Sequence, residues 1–214
     1  GRLIVTSATY RQSSEATAAQ LAADRFNILL GRQNRLRMEA ETIRDVGLAA
    51  SDLLADKIGG PSVFPPQPAG IYVFTQNNKN WKPDTGSDRF RRGMYTYFWR
   101  SSADGPFLMT FDAPNANVTC TRRVRSNTPL QALTLANDAA FVEMAEALAL
   151  RVLREHPQAD DRQRLQQAFR ICLAREPQGR ELSLLGAYLD RSLAAFAEDE
   201  QAAREAAPDA RPEG

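Results

Sequence analysis

Histidine is nearly missing from this sequence: His156 stands alone in a polar stretch. A histidine-rich metal site is therefore excluded. Cysteine is scarce too. Cys120 and Cys172 are far apart, with no CxxC pair and no CxxCH for covalent haem, so no cofactor is expected in this segment. Lysine is limited to Lys57, Lys79 and Lys82, so the basic side chains are otherwise arginines, which suit planar, half-buried ion pairs. No apolar run is long enough to span a bilayer. Nucleophile elbows, phosphate loops and zinc spacings are absent, so no catalytic residue is assigned.

What is present suits a folded chain. Its 214 residues are 43% hydrophobic, enough for a packed core. The formal charge is only +1, but it is unevenly spread. Residues 1–134 hold 17 basic against 11 acidic groups, and residues 135–214 hold 10 against 15. The two parts can attract each other, which argues against a nucleic-acid partner.

The organising stretch runs from Cys120 to Glu155. Thr128-Pro129-Leu130-Gln131 predicts a helix start, with Thr128 and Gln131 spaced for a capping box and Pro129 at the first helical position. Asn137-Asp138 predicts a second cap. Phe141, Met144, Ala145, Leu148 and Val152 then recur at helical spacing. Further helices are predicted over Arg162–Ala174 and from Arg180 to about Phe196, separated by Pro177 and packed as antiparallel neighbours. Earlier in the chain, a short helix fits the Ala-rich 16–23. Met38, Ile43, Val46, Ala50, Leu53 and Leu54 predict another from about Leu36 to Ala55, ended by Gly59-Gly60-Pro61.

The middle reads differently. Residues 61–88 are rich in proline, asparagine and glycine and predict a long irregular loop, with a short strand at Ile71–Phe74. Trp81 in this loop can stack on a sugar or pin the loop to the core. The aromatic run Met94–Trp99 and the segment Phe107–Phe111, joined by turn residues, predict a β-hairpin. The expected fold is mainly α: one helical domain over 1–196, with the loop and a small central β-hairpin in 61–112 and a helical C-terminal part over 128–196. A disordered tail is expected over 197–214. The opening Gly1-Arg2-Leu3 reads as part of a longer protein.

Polar candidates are scattered along the chain. Arg122 and Arg123, with Arg125, sit just before a helix start and can hold a carboxylate or phosphate, or pair with acids of the same chain. Glu41 and Asp45, four residues apart, share one side of a helix; such carboxylates do acid/base work or bridge to arginines. Tyr10, Arg11, Asp45, Trp99, Asp112, Arg122, Arg123, Asn137 and Asp138 are the ligand-binding candidates. Aromatics and carboxylates lining one cleft would suit carbohydrate chemistry. Cys120, beside the arginines, and Cys172, on a helix pattern, are both expected to be buried thiols.

Six motifs carry a resemblance: RLIVTSATYRQSS (Arg2–Ser14), EAETIRD (Glu39–Asp45), IGGPSV (Ile58–Val63), RRGMYTYFWR (Arg91–Arg100), FDAPNANVTCTRR (Phe111–Arg123) and NTPLQALTLAND (Asn127–Asp138). In this order they resemble a planctomycete-specific domain of unknown function. That domain forms the C-terminal part of large exported proteins, many of which carry a cytochrome-c-like domain. The resemblance implies an extracytoplasmic location and the upstream domains of the same parent protein as partners, but no reaction. Two readings follow: a non-catalytic binding or assembly module, or an enzyme or binding domain acting on carbohydrate.

Overall fold

Side-chain caps start several of the helices, and the chain divides into two units, Gly1–Met38 and Glu39–Gly214. The computed structural model describes residues 1–68, 81–99, 105–115 and 118–206. In the first unit, α1 (Arg2–Val5) is a single turn. Helix α2 (Ala18–Ala23) starts at a capping box between Thr17 and Gln20. The loop that follows is held from inside by polar groups. Asp24 accepts from the backbone N–H groups of Ile28 (2.9 Å) and Leu29 (2.7 Å). Those two bonds to Leu29 and Ile28 hold the Asp24 carboxyl below its ordinary pKa. Asn27, buried and left-handed at φ 55°, bonds Arg32 and Asn34. Phe26, Ile28 and Leu29 are consequently turned outward.

The second unit centres on α3 (Ala40–Ala50) and α6 (Ala139–Glu155). Leu48 of α3 meets Ala140 and Met144 of α6, with Leu53, Leu54, Phe90 and Phe141 packed around them. Arg151 of α6 donates to the carbonyls of Ala49 (3.2 Å) and Ala50 (2.9 Å), closing the end of α3. Helices α4 (Pro106–Thr110) and α5 (Pro129–Asn137) precede α6; α7 (Asp161–Leu173), α8 (Gly179–Glu198) and α9 (Glu200–Ala206) follow it, each packed on its chain neighbour from α4 onward. The predicted caps are present. Gln131 Oε1 accepts from the Thr128 amide at 3.2 Å, and Asp138 accepts from the Ala140 amide at 2.9 Å. Gln131 is buried and also donates to the Thr110 carbonyl, tying α5 to α4.

The middle corrects the sequence reading: no β-hairpin forms, and the described residues contain no strand. Gly93–Tyr95 is a 3₁₀ turn and Pro106–Thr110 is helical. Among the described residues the one sheet-like contact is an isolated parallel bridge from Val63 to Thr96, with Tyr97 N donating to Val63 O and Val63 N to Tyr95 O, both at 2.8 Å. Two causes act. Pro106 at the first helical position pre-sets helical φ for Phe107–Thr110. The aromatics of 94–99 also find ring partners instead of a paired strand: Tyr97 stacks on Phe64 at 4.7 Å and meets Trp99 edge-on at 5.0 Å. β propensity reports packing context more than backbone preference, and here the context is a ring stack. The strand expected at Ile71–Phe74 lies outside the described residues.

The helix over Leu36–Ala55 is shorter than expected and rotated. Its buried face is Ala40, Arg44 and Leu48, while Met38 and Val46 are exposed. Beyond Phe196, α8 runs on to Glu198 and α9 follows; 207–214 lie outside the described residues. Among the described residues no helix is long and apolar enough to cross a membrane.

Candidate functional site

Helix α3 places alternate side chains on different tasks. Its Glu41 and Asp45 lie one turn apart but serve separate partners. Arg123 grips Glu41 with both arms of its guanidinium, Nη1 to Oε2 at 2.8 Å and Nη2 to Oε1 at 3.0 Å. The same Nη1 lies 3.0 Å from Glu39, which also takes Arg125 at 3.2 Å. Burial pushes the Glu41 carboxyl up, and the Arg123 hydrogen bond and charge more than reverse it, leaving its pKa below the ordinary value. Arg123 is correspondingly raised, chiefly by its bond to Glu41. The arginine cluster is therefore spent on acids of this chain some eighty residues earlier. Arg122 differs: it is exposed and has no ion-pair partner among the described residues.

The aspartates act as backbone clasps. Asp45 Oδ1 accepts from the Gly93 amide at 2.6 Å, and its Oδ2 lies 3.6 Å from Arg92. This draws the 3₁₀ turn hard against α3: a Cβ on Gly93 would sit 2.8 Å from Glu41 Cα. Asp112 accepts from the Ser126 amide and hydroxyl, each at 2.8 Å. Asp138 caps α6. Asn137 donates to the Leu133 carbonyl within α5. Trp81 donates to the Pro65 carbonyl at 2.7 Å and meets Phe64 edge-on, so it pins its loop.

Two clefts on this unit bear on the candidates. One lies between α3, α4, the start of α6 and the Pro65–Pro68 stretch, with about 480 Å³ of empty space when the open solvent at its mouth is included; Arg44, Thr96, Phe107, Asp138 and Phe141 line it. The other, about 730 Å³ on the same measure, lies beside Glu41, Gly93, Phe98, Cys120 and Arg123. Of the sequence candidates, Asp138 lines the first and Arg123 the second. Asp45, Trp99, Asp112, Arg122 and Asn137 line neither, and the exposed Tyr10 and Arg11 belong to the first unit. The two thiols overturn their expectation: Cys120 and Cys172 are both free and exposed.

Two buried arginines were not among the sequence's ligand-binding candidates. Arg91 has no exposed surface; it donates to the carbonyls of Pro61 (2.9 Å), Lys57 (3.2 Å) and Gly59, and stacks 3.8 Å above the Tyr95 ring. It holds the Gly59-Gly60-Pro61 turn, where both glycines are left-handed. Arg44 is buried on α3, and its Nη2 donates to the Arg89 carbonyl at 2.8 Å. One signal was available for Arg44: it falls four residues from both Ala40 and Leu48, inside the apolar period of the helix. Arg91 had none, because its acceptors lie about thirty residues away.

Among the described residues no group of histidine, cysteine, aspartate and glutamate is placed to hold a metal ion. No curated protein and no solved structure matches the chain. A family model does, over residues 1–189, and the chain therefore belongs to the PSD1 family, described as a protein of unknown function (DUF1553).

Proposed function

We propose that this chain is a non-catalytic binding or assembly module of an exported, cytochrome-linked multidomain protein, working outside the cytoplasm. The supporting observation is the occupation of its carboxylates. Glu39 and Glu41 are held by arginines, Asp45 and Asp112 by backbone amides, and one oxygen of Asp138 by a helix start. An acid/base catalyst needs a carboxyl group within hydrogen-bond reach of a substrate proton. Of these five, Glu41 and Asp138 line the two clefts described above, one each, and the other three line neither.

Exposed apolar side chains support docking. In the first unit Asn27 is the one buried residue, while Phe26, Ile28 and Leu29 are 78–80% exposed on a loop that its own hydrogen bonds hold in place. On α8, Leu184 and Tyr188 are 62% and 65% exposed, one turn apart. Large apolar side chains exposed close together along the chain suit interaction sites. The partner is the upstream part of the same parent protein. Titrating this chain with that upstream part by calorimetry tests the reading. Association at micromolar concentrations is expected, weakened by Ile28→Asp with Leu29→Asp; no heat at those concentrations overturns it.

A further inference from the structure

We propose that the cleft between α3, α4 and the start of α6 binds the terminal ring of a neutral sugar. The first ground is a buried cation short of partners. Arg44 is 6% exposed, and of its five N–H donors only one on Nη2 is bonded among the described residues, to the Arg89 carbonyl; Nε has no partner among them either but is sealed from solvent, so the donors left for a ligand are on Nη1 and Nη2. A buried donor left unpaired is costly, and a charged one more so. Burial pushes the Arg44 pKa down to about 10 even though Asp45, Glu143 and Asp138 oppose the fall, so the guanidinium is still charged at neutral pH.

The second ground is the company it keeps. Asp138 lines the same cleft. Its Oδ1 is taken by the Ala140 amide, and Oδ2 has no hydrogen bond among the described residues. The cleft thus offers a cationic donor and an anionic acceptor between walls formed by Phe107, Phe141 and Pro106. Charge decides the ligand class. Arg44 and Asp138 are the charged side chains among the lining residues. Their charges balance, so an anion gains no net attraction there. A neutral ligand with neighbouring hydroxyls meets both needs: its oxygens accept from Arg44 and its O–H groups donate to Asp138. The C–H face of a sugar ring lies well on apolar walls. No bond is made or broken in this proposal. It stands apart from docking to the upstream part, which uses the first unit and α8, so either can fail alone.

The test uses the full 214-residue chain and ligand-observed NMR with methyl glucoside, methyl galactoside and methyl mannoside, with glucuronate as the anionic counterpart. At least one neutral glycoside is expected to saturate in the millimolar range and to bind more tightly than glucuronate. Asp138→Asn keeps a good helix cap and should weaken that binding about tenfold. Arg44→Gln should do the same, with folding checked by circular dichroism; if it fails to fold, Asp138→Asn decides. The proposal is overturned if no neutral glycoside saturates, if glucuronate binds more tightly, or if Asp138→Asn leaves the affinity unchanged.

Discussion

Replacing Gly93 with alanine probes a close backbone-to-backbone approach in the second unit. The new methyl group would lie 2.8 Å from Glu41 Cα and 2.9 Å from its carbonyl oxygen. Both are backbone atoms of α3, so relief requires the turn to move off the helix. That movement strains the packing, at about 1–3 kcal/mol. It also stretches the 2.6 Å bond from the Gly93 amide to Asp45, a charge-assisted bond worth about 1.5–3 kcal/mol. Together the loss is about 2.5–6 kcal/mol, which for a chain of this size lowers Tm by roughly 5–24 °C. Gly47→Ala is the informative comparison. Its methyl group would lie even closer to a neighbour, 2.7 Å, but that neighbour is the Met144 sulfur at the flexible end of a side chain. Alanine also improves helix propensity by about 0.8–1 kcal/mol inside α3. The net change should stay within about 1 kcal/mol. Calorimetric melting of the two variants reads both numbers. If Gly93→Ala melts with the wild type, or Gly47→Ala falls as far as Gly93→Ala, the clasp between α3 and the 3₁₀ turn is not what holds this region.

Arg91→Met leaves the carbonyls of Lys57, Gly59 and Pro61 without their donor and should cost about 3–5 kcal/mol in urea unfolding. Arg91→Lys should recover less than half, because a point charge cannot span three acceptors. The lowered Glu41 pKa makes a signed prediction. Its contribution is full above the unfolded value of 4.5 and is lost as pH falls through the lower folded value; unfolding midpoints of Glu41→Gln should therefore depend less on pH below 4.5 than those of the wild type. Glu181, pulled down to about 2 chiefly by its bond to Arg175, adds acid sensitivity of the same sign between 4.5 and about 2. A double-mutant cycle of Glu41→Gln and Arg123→Met should give a coupling of about 0.5–1 kcal/mol, since both side chains remain part-exposed. An aromatic disulfide reagent should titrate both Cys120 and Cys172 in the native chain; protection of either until unfolding would refute their exposure.

Some of this was written locally. Thr128, Pro129 and Gln131 specify the start of α5, Asp138 that of α6, and Asp160 with Gln163 that of α7. Each cap satisfies an amide two or three residues away, so four consecutive residues contain the whole interaction. The apolar spacing of α6 likewise placed Met144 and Val152 inside. Pro106 was equally local, but the β propensity of the aromatic run nearby outweighed it in the sequence reading, and the expected hairpin was wrong.

Other features could be decided only by the folded chain. The guanidinium of Arg123 could have met a foreign anion or an acid of its own chain; 82 residues separate it from Glu41, and no local spacing records which backbones approach. Arg91 and Arg44 are buried because distant carbonyls come to meet them. The sequence by itself settled the helical class, the starts of α5 and α6, and the family; the glycine stop expected at Gly59-Gly60 was not one, since α3 ends at Ala50. Tertiary structure settled which charges were neutralised, which were left short of partners, and where the clefts opened, because those outcomes depend on encounters between segments that are remote along the chain.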